Sequence, residues 1–386
     1  MSGETHGKKI NLQRGFGREI EESPQTKQTM KRIGNLFEKV VALDNLILAD
    51  EIARKGKLKT YGVRHHDQNR ESNLLKLQKM LINGEYHTSE YHIFTIFEPK
   101  EREIFRLPYF PDRIVHHAIM NVVEPIWVSI FTKDTYSCIK ARGIHACAQS
   151  VRKVMKEDRA GTRYCLKLDI RKFYPSIDHE ILKQIIRRKI KDNRLLALLD
   201  EIIDSVPSGV PIGNYLSQYF ANLYLAYFDH WIKEEKGVKY YWRYADDIVI
   251  LAPDKDTLHD LCHDIRKYLA TLKLRIKRNY QVFPVDSRGI DFVGYVFRHT
   301  HTRLRKSIKK NLCRRVARLE KNPPKSRREY MQEVAAWWGW LKYCDSINLI
   351  NKLQNRIPYE IRFKGKCKRV ALRCVERETR DSGKGQ

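Results

Sequence analysis

The order of apolar and polar positions predicts a chain that mixes helices and strands. Apolar residues recur at helical spacing in stretches that predict helices over 30–55, 73–82, 112–130, 178–190, 195–203, 216–231 and 256–272. Runs of β-branched and aromatic residues predict strands over 91–98, 103–107, 163–170 and 291–298, and a hairpin over 239–251. A break is expected near Asp44, a helix stop at Asn83 and Gly84, and an N-cap at Asp178. This mixture predicts the α+β class.

The hairpin over 239–251 is the most informative of these segments. Two β-rich runs flank a short polar centre, which places Asp246 and Asp247 side by side at the tip. Adjacent carboxylates repel one another, so two ionised groups here favour a bound cation, and oxygen ligands favour Mg²⁺ or Mn²⁺. Taken alone, the pair is more typical of an ordinary turn, because Asp is a common turn residue.

A third carboxylate strengthens the interpretation of the hairpin as a metal site. Asp169 ends the β-rich run over 164–169, which is otherwise mostly apolar. If this strand lies beside the hairpin, Asp169, Asp246 and Asp247 converge and can hold two divalent ions ~3.5–4 Å apart. Such a pair of ions activates a primer 3′-hydroxyl and holds a triphosphate, so the protein mainly supplies position and charge.

Composition indicates a nucleic-acid partner. The 386 residues carry a formal net charge of +28, from 74 Lys and Arg against 46 Asp and Glu. This excess predicts a polyanion as the partner. No stretch approaches the ~18 apolar residues of a membrane span, and the polar N-terminus has no apolar core of a secretory signal. The eight cysteines include no C-x-x-C pair, so we expect reduced thiols and a cytoplasmic location without membrane attachment.

The two ends of the chain differ from its middle. Residues 1–28 are polar and aperiodic, with recurring Gly, Ser and Pro, and are interpreted as a flexible extension. Residues 301–386 contain 24 Lys or Arg and 8 Asp or Glu, which predicts a separate basic, mainly helical domain. Cations in such a region neutralise phosphates without reading sequence.

Four ordered motifs resemble those of reverse transcriptases. They are Asp169 within LDIRKFYPSIDH, the loop VPIGNYLSQ over 210–218, YADD over 244–247, and KEREIFRLPYFPDRIVHHAI over 100–119. The segment 292–295 looks like the primer-grip strand of these enzymes, and 304–307 like the entry to their thumb. The resemblance covers about residues 30 to 350. It implies an α+β right-hand polymerase, with fingers and a palm containing an antiparallel sheet, and a helical thumb.

The resemblance also implies domain boundaries and site residues. Residues 29–160 would form N-terminal helices and fingers, 161–300 the palm with a fingers segment around 178–208, and 301–386 a basic helical thumb and C-terminal tail. Asp169, Asp246 and Asp247 would be catalytic and, with Ile170, would hold two Mg²⁺, with Mn²⁺ as an alternative. The dNTP would contact Lys100, Arg102, Tyr174, Ile212, Gly213 and Gln218, with Tyr174 as the steric gate against a 2′-hydroxyl. Nucleic acid would contact Arg113, Arg305, Lys306, Lys309, Lys310, Arg314 and Arg315.

The loop over 210–218 suggests a subgroup. Most reverse transcriptases carry Gln-Gly-x-x-x-Ser-Pro here, whereas this chain has Ile212, Gly213, Ser217 and Gln218. This pattern, and the stretch 34–38, are similar to reverse transcriptases of diversity-generating retroelements. Those enzymes copy a template-repeat RNA into cDNA with errors at adenines, and work with a small, basic, oligomeric accessory protein. The implied partners are therefore template RNA, cDNA, the RNA–DNA hybrid, dNTPs and that accessory protein.

Other interpretations stay open at the level of sequence. The chain could be a retron-type or group II intron-type reverse transcriptase, or a polymerase-like RNA-binding protein without catalysis. Ile212 offers only apolar contact where a Gln could hold the nucleotide in register, and this predicts weaker discrimination by ~1–3 kcal/mol. The alternative is that Ile212 simply packs in the palm.

Overall fold

A computed structural model describes residues 31–97, 101–354 and 356, together with the backbone of 359–363 and 372–376. The extension predicted over 1–28 lies outside the described residues. The N-terminal region contains α1 (Phe37–Val41), α2 (Leu43–Ala53), α3 (Tyr61–Asp67) and α4 (Arg70–Asn83). The gap between α1 and α2 confirms the break expected near Asp44. Gly84 ends α4 at φ 72°, the left-handed conformation that a helix stop uses.

An antiparallel hairpin follows these helices, as the sequence predicts. It consists of β1 (His92–Ile96) and β2 (Arg102–Arg106), with Phe94 opposite Ile104. A kinked segment over Tyr109–Arg113, in which Phe110 is extended (φ −110°, ψ 132°), then leads into α5 (Ile114–Val128), which is buried along most of its length. The burial is consistent with the apolar character that predicts this helix.

A five-stranded sheet forms the centre of the molecule. The strands of this sheet and the helices between them are, in chain order, β3 (Thr135–Tyr136), α6 (Ile144–Glu157), β4 (Tyr164–Asp169), α7 (His179–Arg187), α8 (Asn193–Asp204), α9 (Tyr215–Tyr224), α10 (Ala226–His230), β5 (Tyr240–Tyr244), β6 (Asp247–Ala252), α11 (Lys255–Thr271) and β7 (Gln281–Pro284). The strand order is β3-β5-β6-β4-β7, and all pairs except β3-β5 are antiparallel. The Asp178 carboxylate accepts a hydrogen bond from the Ile181 amide, which confirms the predicted N-cap of α7.

The C-terminal region combines a small sheet with helices. Its elements are α12 (Val285–Arg288), β8 (Ile290–Phe292), β9 (Tyr295–Phe297), β10 (Thr302–Leu304), α13 (Lys306–Lys321), α14 (Arg327–Leu341), α15 (Ile347–Gln354), β11 (Tyr359–Phe363) and β12 (Leu372–Glu376). The single strand predicted over 291–298 is wrong, because β8 and β9 form a hairpin there. Val293 and Gly294 turn the chain with positive φ angles of 41° and 88°. A Cβ on Gly294 would clash with the Trp340 side chain, so only glycine permits this close approach.

The central sheet is covered on both faces, and β6 shows how. Ile248 and Ile250 belong to a hydrophobic cluster with the helices, whereas Val249 and Leu251 belong to a second cluster that includes Leu312 of α13 and residues of α14. This alternation follows from the two-residue period of a strand. The turn before β6, which carries Asp246, therefore stands on a strand that is packed from both sides. In the described ranges, no helix combines the length and apolar character needed to cross a membrane.

Candidate active site

The three predicted carboxylates meet where β4 ends and β6 begins. Asp169 is the last residue of β4 and lies directly opposite Asp247, the first residue of β6. The Ile170 amide donates a hydrogen bond of 3.2 Å to the carbonyl of Asp246, which joins the strand end to the turn. Ala245 adopts a φ of 54°, a left-handed conformation that closes the turn. The strand register therefore gathers all three acidic residues and the backbone of Ile170 at one corner.

Crowding of these carboxylates shifts their acidity. Burial, followed by the charge of Asp169, raises the pKa of Asp246. Burial raises the pKa of Asp247 to about 6, although the positive charge of Lys167 opposes this shift. Among the described residues, the buried Oδ1 atom of Asp247 has no hydrogen-bond partner. An unpartnered buried acceptor beside two like charges is a site that favours a cation.

Two lysines provide positive charge at this corner. The Nζ atom of Lys277 lies 2.7 Å from Oδ1 of Asp169, and Nζ of Lys167 lies 3.6 Å from Oδ2 of Asp247. Lys277 also donates its amide to the Asp169 carbonyl at 2.9 Å, so the backbone fixes its place. The sequence analysis did not identify either lysine.

The donor set at the corner fits a divalent ion. Asp169, Asp246 and Asp247 supply carboxylate oxygens, the ligands that Mg²⁺ and Mn²⁺ prefer, and one of these oxygens is buried and unpaired. Across the described parts of the chain, no three His, Cys, Asp or Glu side chains already form a group arranged around a metal position. The residues present are therefore suitable for Mg²⁺ by their chemistry.

A buried ion pair supports the turn from below. Arg243 and Asp229 are both 0% exposed, and the guanidinium donates to both carboxylate oxygens at 2.7 and 2.6 Å. The same guanidinium donates to the carbonyl of Ala245 at 3.1 Å and to the Asn222 side chain at 3.2 Å. Because Ala245 immediately precedes Asp246, this network holds the backbone that presents the carboxylates.

The loop that contains Ile212 lies against the hairpin of β1 and β2. The Phe105 amide donates a 2.8 Å hydrogen bond to the Ile212 carbonyl. Gly213 has a φ of 120°, and a Cβ there would lie 2.7 Å from the Phe105 carbonyl oxygen. Gln218 is a partly buried residue of α9. The loop therefore joins the hairpin to the start of α9 by backbone contacts that only glycine permits at position 213.

Tyr174 lies close to both the carboxylates and the hairpin. Burial raises the pKa of its hydroxyl, and the charges of Asp246 and Arg102 also act on it. Its carbonyl accepts a hydrogen bond from the Val210 amide at 3.0 Å, which ties it to the start of the Ile212 loop. Arg102 is an exposed residue of β2. Lys100 lies outside the described residues.

The predicted nucleic-acid contacts divide into two groups. Lys306, Lys309, Lys310 and Arg314 are exposed on α13. Others are already engaged: Arg305 pairs with Asp291 at 2.6 Å, and Arg315 pairs with Glu333 of α14. Arg113 is partly buried at the end of the turn before α5, away from α13 in the chain. The exposed cations of α13 and the partly buried Arg113 therefore belong to different elements.

Sequence reasoning overlooked the residues that support the carboxylates. The signal for the pair of Arg243 and Asp229 was present, because each is a charged residue within an apolar, buried stretch. Two such charges of opposite sign favour an ion pair. Lys277 gave no comparable signal, because its approach to Asp169 depends on an isolated bridge between Ile170 and Ile276.

The family follows from comparison with known proteins. The family model described as "Reverse transcriptase (RNA-dependent DNA polymerase)" matches residues 99–297, more than half of the chain. The chain belongs to the reverse transcriptase family. The matched residues contain Asp169, Asp246 and Asp247, so the corner described above lies within the reverse transcriptase domain. Such domains are RNA-directed DNA polymerases and generally use divalent metal ions.

Curated relatives of this reverse transcriptase are distant. Protein YkfC of Escherichia coli (strain K12) is 24% identical over 269 residues, which are 57% of this chain and 69% of YkfC. The group II intron-encoded protein LtrA of Lactococcus lactis subsp. cremoris is 24% identical over 227 residues, 55% of this chain but 37% of LtrA. The apo telomerase from Candida tropicalis aligns with a TM-score of 0.45 at 12% identity, over 71% of this chain and 59% of that one. The family assignment depends on the matched domain and not on these similarities.

Proposed function

We propose that this reverse transcriptase copies a template-repeat RNA into cDNA with errors at adenines, as part of a diversity-generating retroelement. The observation that carries the proposal is Ile212, an aliphatic residue in a loop whose backbone is bonded to β2. Gln218, in the helix α9 that follows this loop, also matches that subgroup in sequence. The proposed partners are template RNA, dNTPs, the hybrid product and a small basic accessory protein.

The carboxylate corner accounts for nucleotidyl transfer. Asp169, Asp246 and Asp247 would hold two divalent ions, which would supply activation of the primer 3′-hydroxyl and charge stabilisation of the pyrophosphate leaving group. Asp169, Asp246 and Asp247 hold oxygen ligands at fixed positions because the register of β4 and β6 and the Arg243 network define the corner. Rigid placement of charge before the reaction is the main catalytic contribution of such a site.

Selection of the nucleotide is assigned to residues around the Ile212 loop. Tyr174, near both Asp246 and Arg102, is proposed as the steric gate that excludes a 2′-hydroxyl. Arg102 of β2 and Gly213, which lies against Phe105 of the same strand, are proposed to contact the dNTP, and Lys100 is proposed to join them. The exposed cations of α13 are proposed to grip the phosphates of the duplex without reading its sequence.

Ile212 gives a physical reason for reduced fidelity, whereas the preference for adenine comes from the subgroup that the loop sequence resembles. An aliphatic side chain donates no hydrogen bond, so correct and incorrect nucleotides differ less in binding energy than they do beside a Gln. A loss of about 1–3 kcal/mol of discrimination corresponds to roughly 10–200-fold in selectivity. This effect would raise misincorporation without reducing the chemistry at the carboxylates.

A second candidate is a reverse transcriptase of group II intron type. It is favoured by the relatives, which include LtrA and a nuclear intron maturase of Arabidopsis thaliana that is 23% identical over 122 residues. The three gathered carboxylates support catalysis in either case, against a silent RNA-binding protein.

A fidelity assay separates the two candidates. Wild type, Ile212→Gln and the control Ile212→Val extend a primer on RNA templates that differ only at the coding base. We expect wild type and the Val variant to misincorporate mainly opposite adenine, and the Gln variant to do so about tenfold less. Equal error rates opposite all four bases in the wild type would reject the proposed subgroup and favour the group II intron type.

A further inference from the structure

The loop that contains Ile212 leads into α9 at Asn214, the N-cap residue of this helix. Asn is among the residues most favoured at an N-cap, because its side chain can accept a hydrogen bond from an amide of the first turn. In α9, all of which the structure describes, the Asn214 side chain bonds to no such amide. The side chain is 5% exposed, and its Nδ2 atom donates a 2.9 Å hydrogen bond to the hydroxyl of Tyr91. A residue suited to capping α9 is therefore committed to a contact with a residue 123 positions earlier in the chain.

Tyr91 lies between Asn214 and the end of α8. Its hydroxyl is 2.8 Å from Oγ of Ser205, the residue that follows α8. The Ser205 hydroxyl donates its only proton to the Ile202 carbonyl at 2.7 Å, so its oxygen must accept the proton of Tyr91. Burial raises the pKa of the Tyr91 hydroxyl, so this donor stays protonated at neutral pH. Three hydrogen bonds therefore run in one direction, from the Asn214 side chain to the backbone of α8.

The ring of Tyr91 makes a second connection to the same loop. It packs edge-on against Phe105 of β2, with the ring centroids 5.7 Å apart and the planes inclined by 81°. The Phe105 amide donates to the Ile212 carbonyl at 2.8 Å, and the Phe105 carbonyl is the atom that a Cβ on Gly213 would meet. Tyr91 therefore supports the loop through Asn214 at its end and through Phe105 along its length.

A nearby tyrosine shows how the contacts of Tyr91 differ from those of a core residue. Tyr86 is 4% exposed, belongs to the first hydrophobic cluster and donates its hydroxyl to the buried Asp112 at 2.9 Å. Tyr91 belongs to neither of the hydrophobic clusters formed by the described residues, and it precedes β1, whose five residues are all exposed. Core packing therefore accounts for Tyr86, whereas the contacts of Tyr91 converge on the loop.

We propose that Tyr91 is a positioning residue for nucleotide selection, which holds the Ile212 loop against β2 and α8 through its ring and its hydroxyl. It acts through the loop and not by contact with the dNTP. Residues that contact a substrate are placed accurately only when a second set of packing contacts and hydrogen bonds fixes them. A shift of Ile212 and Gly213 would therefore weaken dNTP binding. The inference rests on the contact between this loop and the dNTP that is proposed above.

The first test removes one hydroxyl at each of the two tyrosines. Tyr91→Phe keeps the ring beside Phe105 and removes both hydrogen bonds of the hydroxyl. We expect it to raise KM for dNTP about 3- to 10-fold, the effect of one lost hydrogen bond, with kcat and the affinity for primer–template within about twofold of wild type. Tyr86→Phe is the matched control, because it loses a more deeply buried hydroxyl that does not contact the loop. It should lower the melting temperature at least as much as Tyr91→Phe and leave KM within about twofold of wild type.

A double-mutant cycle tests whether the Tyr91 hydroxyl acts through Asn214. Asn214→Ala should also raise KM for dNTP. Tyr91→Phe/Asn214→Ala should not raise it beyond the value of Asn214→Ala, because both changes remove the same hydrogen bond. Increases that multiply in the double variant would overturn the proposal. Equal KM values in wild type and Tyr91→Phe, or equal increases in Tyr91→Phe and Tyr86→Phe, would also overturn it.

Failure of this inference can be told apart from failure of the proposed function. If wild type extends no primer on any RNA template, the polymerase function itself is rejected. If Gly213→Ala, which displaces the loop directly, raises KM for dNTP and Tyr91→Phe does not, only the role of Tyr91 is rejected. If neither variant changes KM, the proposed contact between the loop and the dNTP is rejected, and the role of Tyr91 with it.

Discussion

The guanidinium of Arg243 donates to both carboxylate oxygens of Asp229, and both side chains are fully buried beneath the turn that carries Asp246. Asp229 also accepts hydrogen bonds from Tyr241 and Thr135, which links α10 to β5 and β3. Each donor and acceptor in this buried network therefore has a partner. Through its hydrogen bond to the Ala245 carbonyl, the pair supports the turn.

Removal of one partner of this ion pair should destabilise the protein strongly. Arg243→Met leaves a buried, uncompensated carboxylate, which we expect to cost about 3–5 kcal/mol in the free energy of unfolding. Arg243→Met/Asp229→Leu should be more stable than Arg243→Met, because no isolated charge remains. Denaturant unfolding measures both effects, and additive losses in the double variant would contradict this account.

Activity should not follow stability in this series. Both variants lack the hydrogen bond to the Ala245 carbonyl, so we expect both to have a reduced kcat under conditions where each is folded. A double variant with wild-type kcat would show that Arg243 stabilises the fold without positioning the turn.

Lys277 should compete with a divalent ion for Asp169. Their ion pair is partly exposed and worth up to about 1 kcal/mol, so Lys277→Gln should tighten Mg²⁺ binding by the protein without nucleic acid by up to about fivefold. Lys273→Gln is a matched control, because Lys273 pairs with Asp178 at 2.5 Å, away from the three carboxylates. Isothermal titration calorimetry gives the affinities, and an equal or weaker affinity of Lys277→Gln would count against the competition.

Gly213 should tolerate no side chain. Ala at this position would meet the Phe105 carbonyl and keep a φ of 120°, which costs about 1–2 kcal/mol and displaces the loop from β2. We expect Gly213→Ala to raise KM for dNTP and also to lower the melting temperature. Gly143→Ala is the control, since its Cβ would have no neighbour within 4 Å. Steady-state kinetics of both variants measure the effect, and an unchanged KM in Gly213→Ala would exclude a role of the loop contact in nucleotide binding.

The buried His116 should make the protein sensitive to acid. Burial lowers its pKa to about 3, from an unfolded value of 6.5. The unfolded chain then binds a proton that the folded chain does not, so stability falls as the pH decreases below 6.5. Between pH 6.5 and pH 5 this group contributes a loss of about 1.6 kcal/mol. His116→Leu should reduce that loss in urea titrations at the two pH values, and an identical pH dependence in the variant would disprove the assignment.

Local structure followed from the sequence where a short-range signal decided it. The N-cap at Asp178, the stop at Gly84 and the hairpin of β1 and β2 all depend on neighbouring residues, and all three are confirmed. The prediction of one strand over 291–298 was wrong because it, too, depended on short-range signals. Val293 and Gly294 are not among the dipeptides most favoured in two-residue turns, and both flanking strands are apolar.

Non-local geometry was harder to predict. The three aspartates were identified as candidates from their surroundings in sequence, but the positions of Lys167 and Lys277 depend on strand register and on a bridge between distant residues. A cleft beside α3 combines Lys57, Arg106 and Arg113 from three segments, and their positions in the sequence do not indicate that they line one cavity. Such groups emerge only when the fold is known.

The most direct test of the central claim is primer extension with dNTPs on an RNA template in Mg²⁺. Wild type is compared with Asp169→Asn and Asp246→Asn, each checked for a folded state by circular dichroism. We expect wild type to make full-length cDNA and each variant to lose activity by at least about a hundredfold, because both carboxylates are proposed metal ligands. Synthesis by either folded variant at the wild-type rate would contradict the assignment of the corner as the polymerase active site.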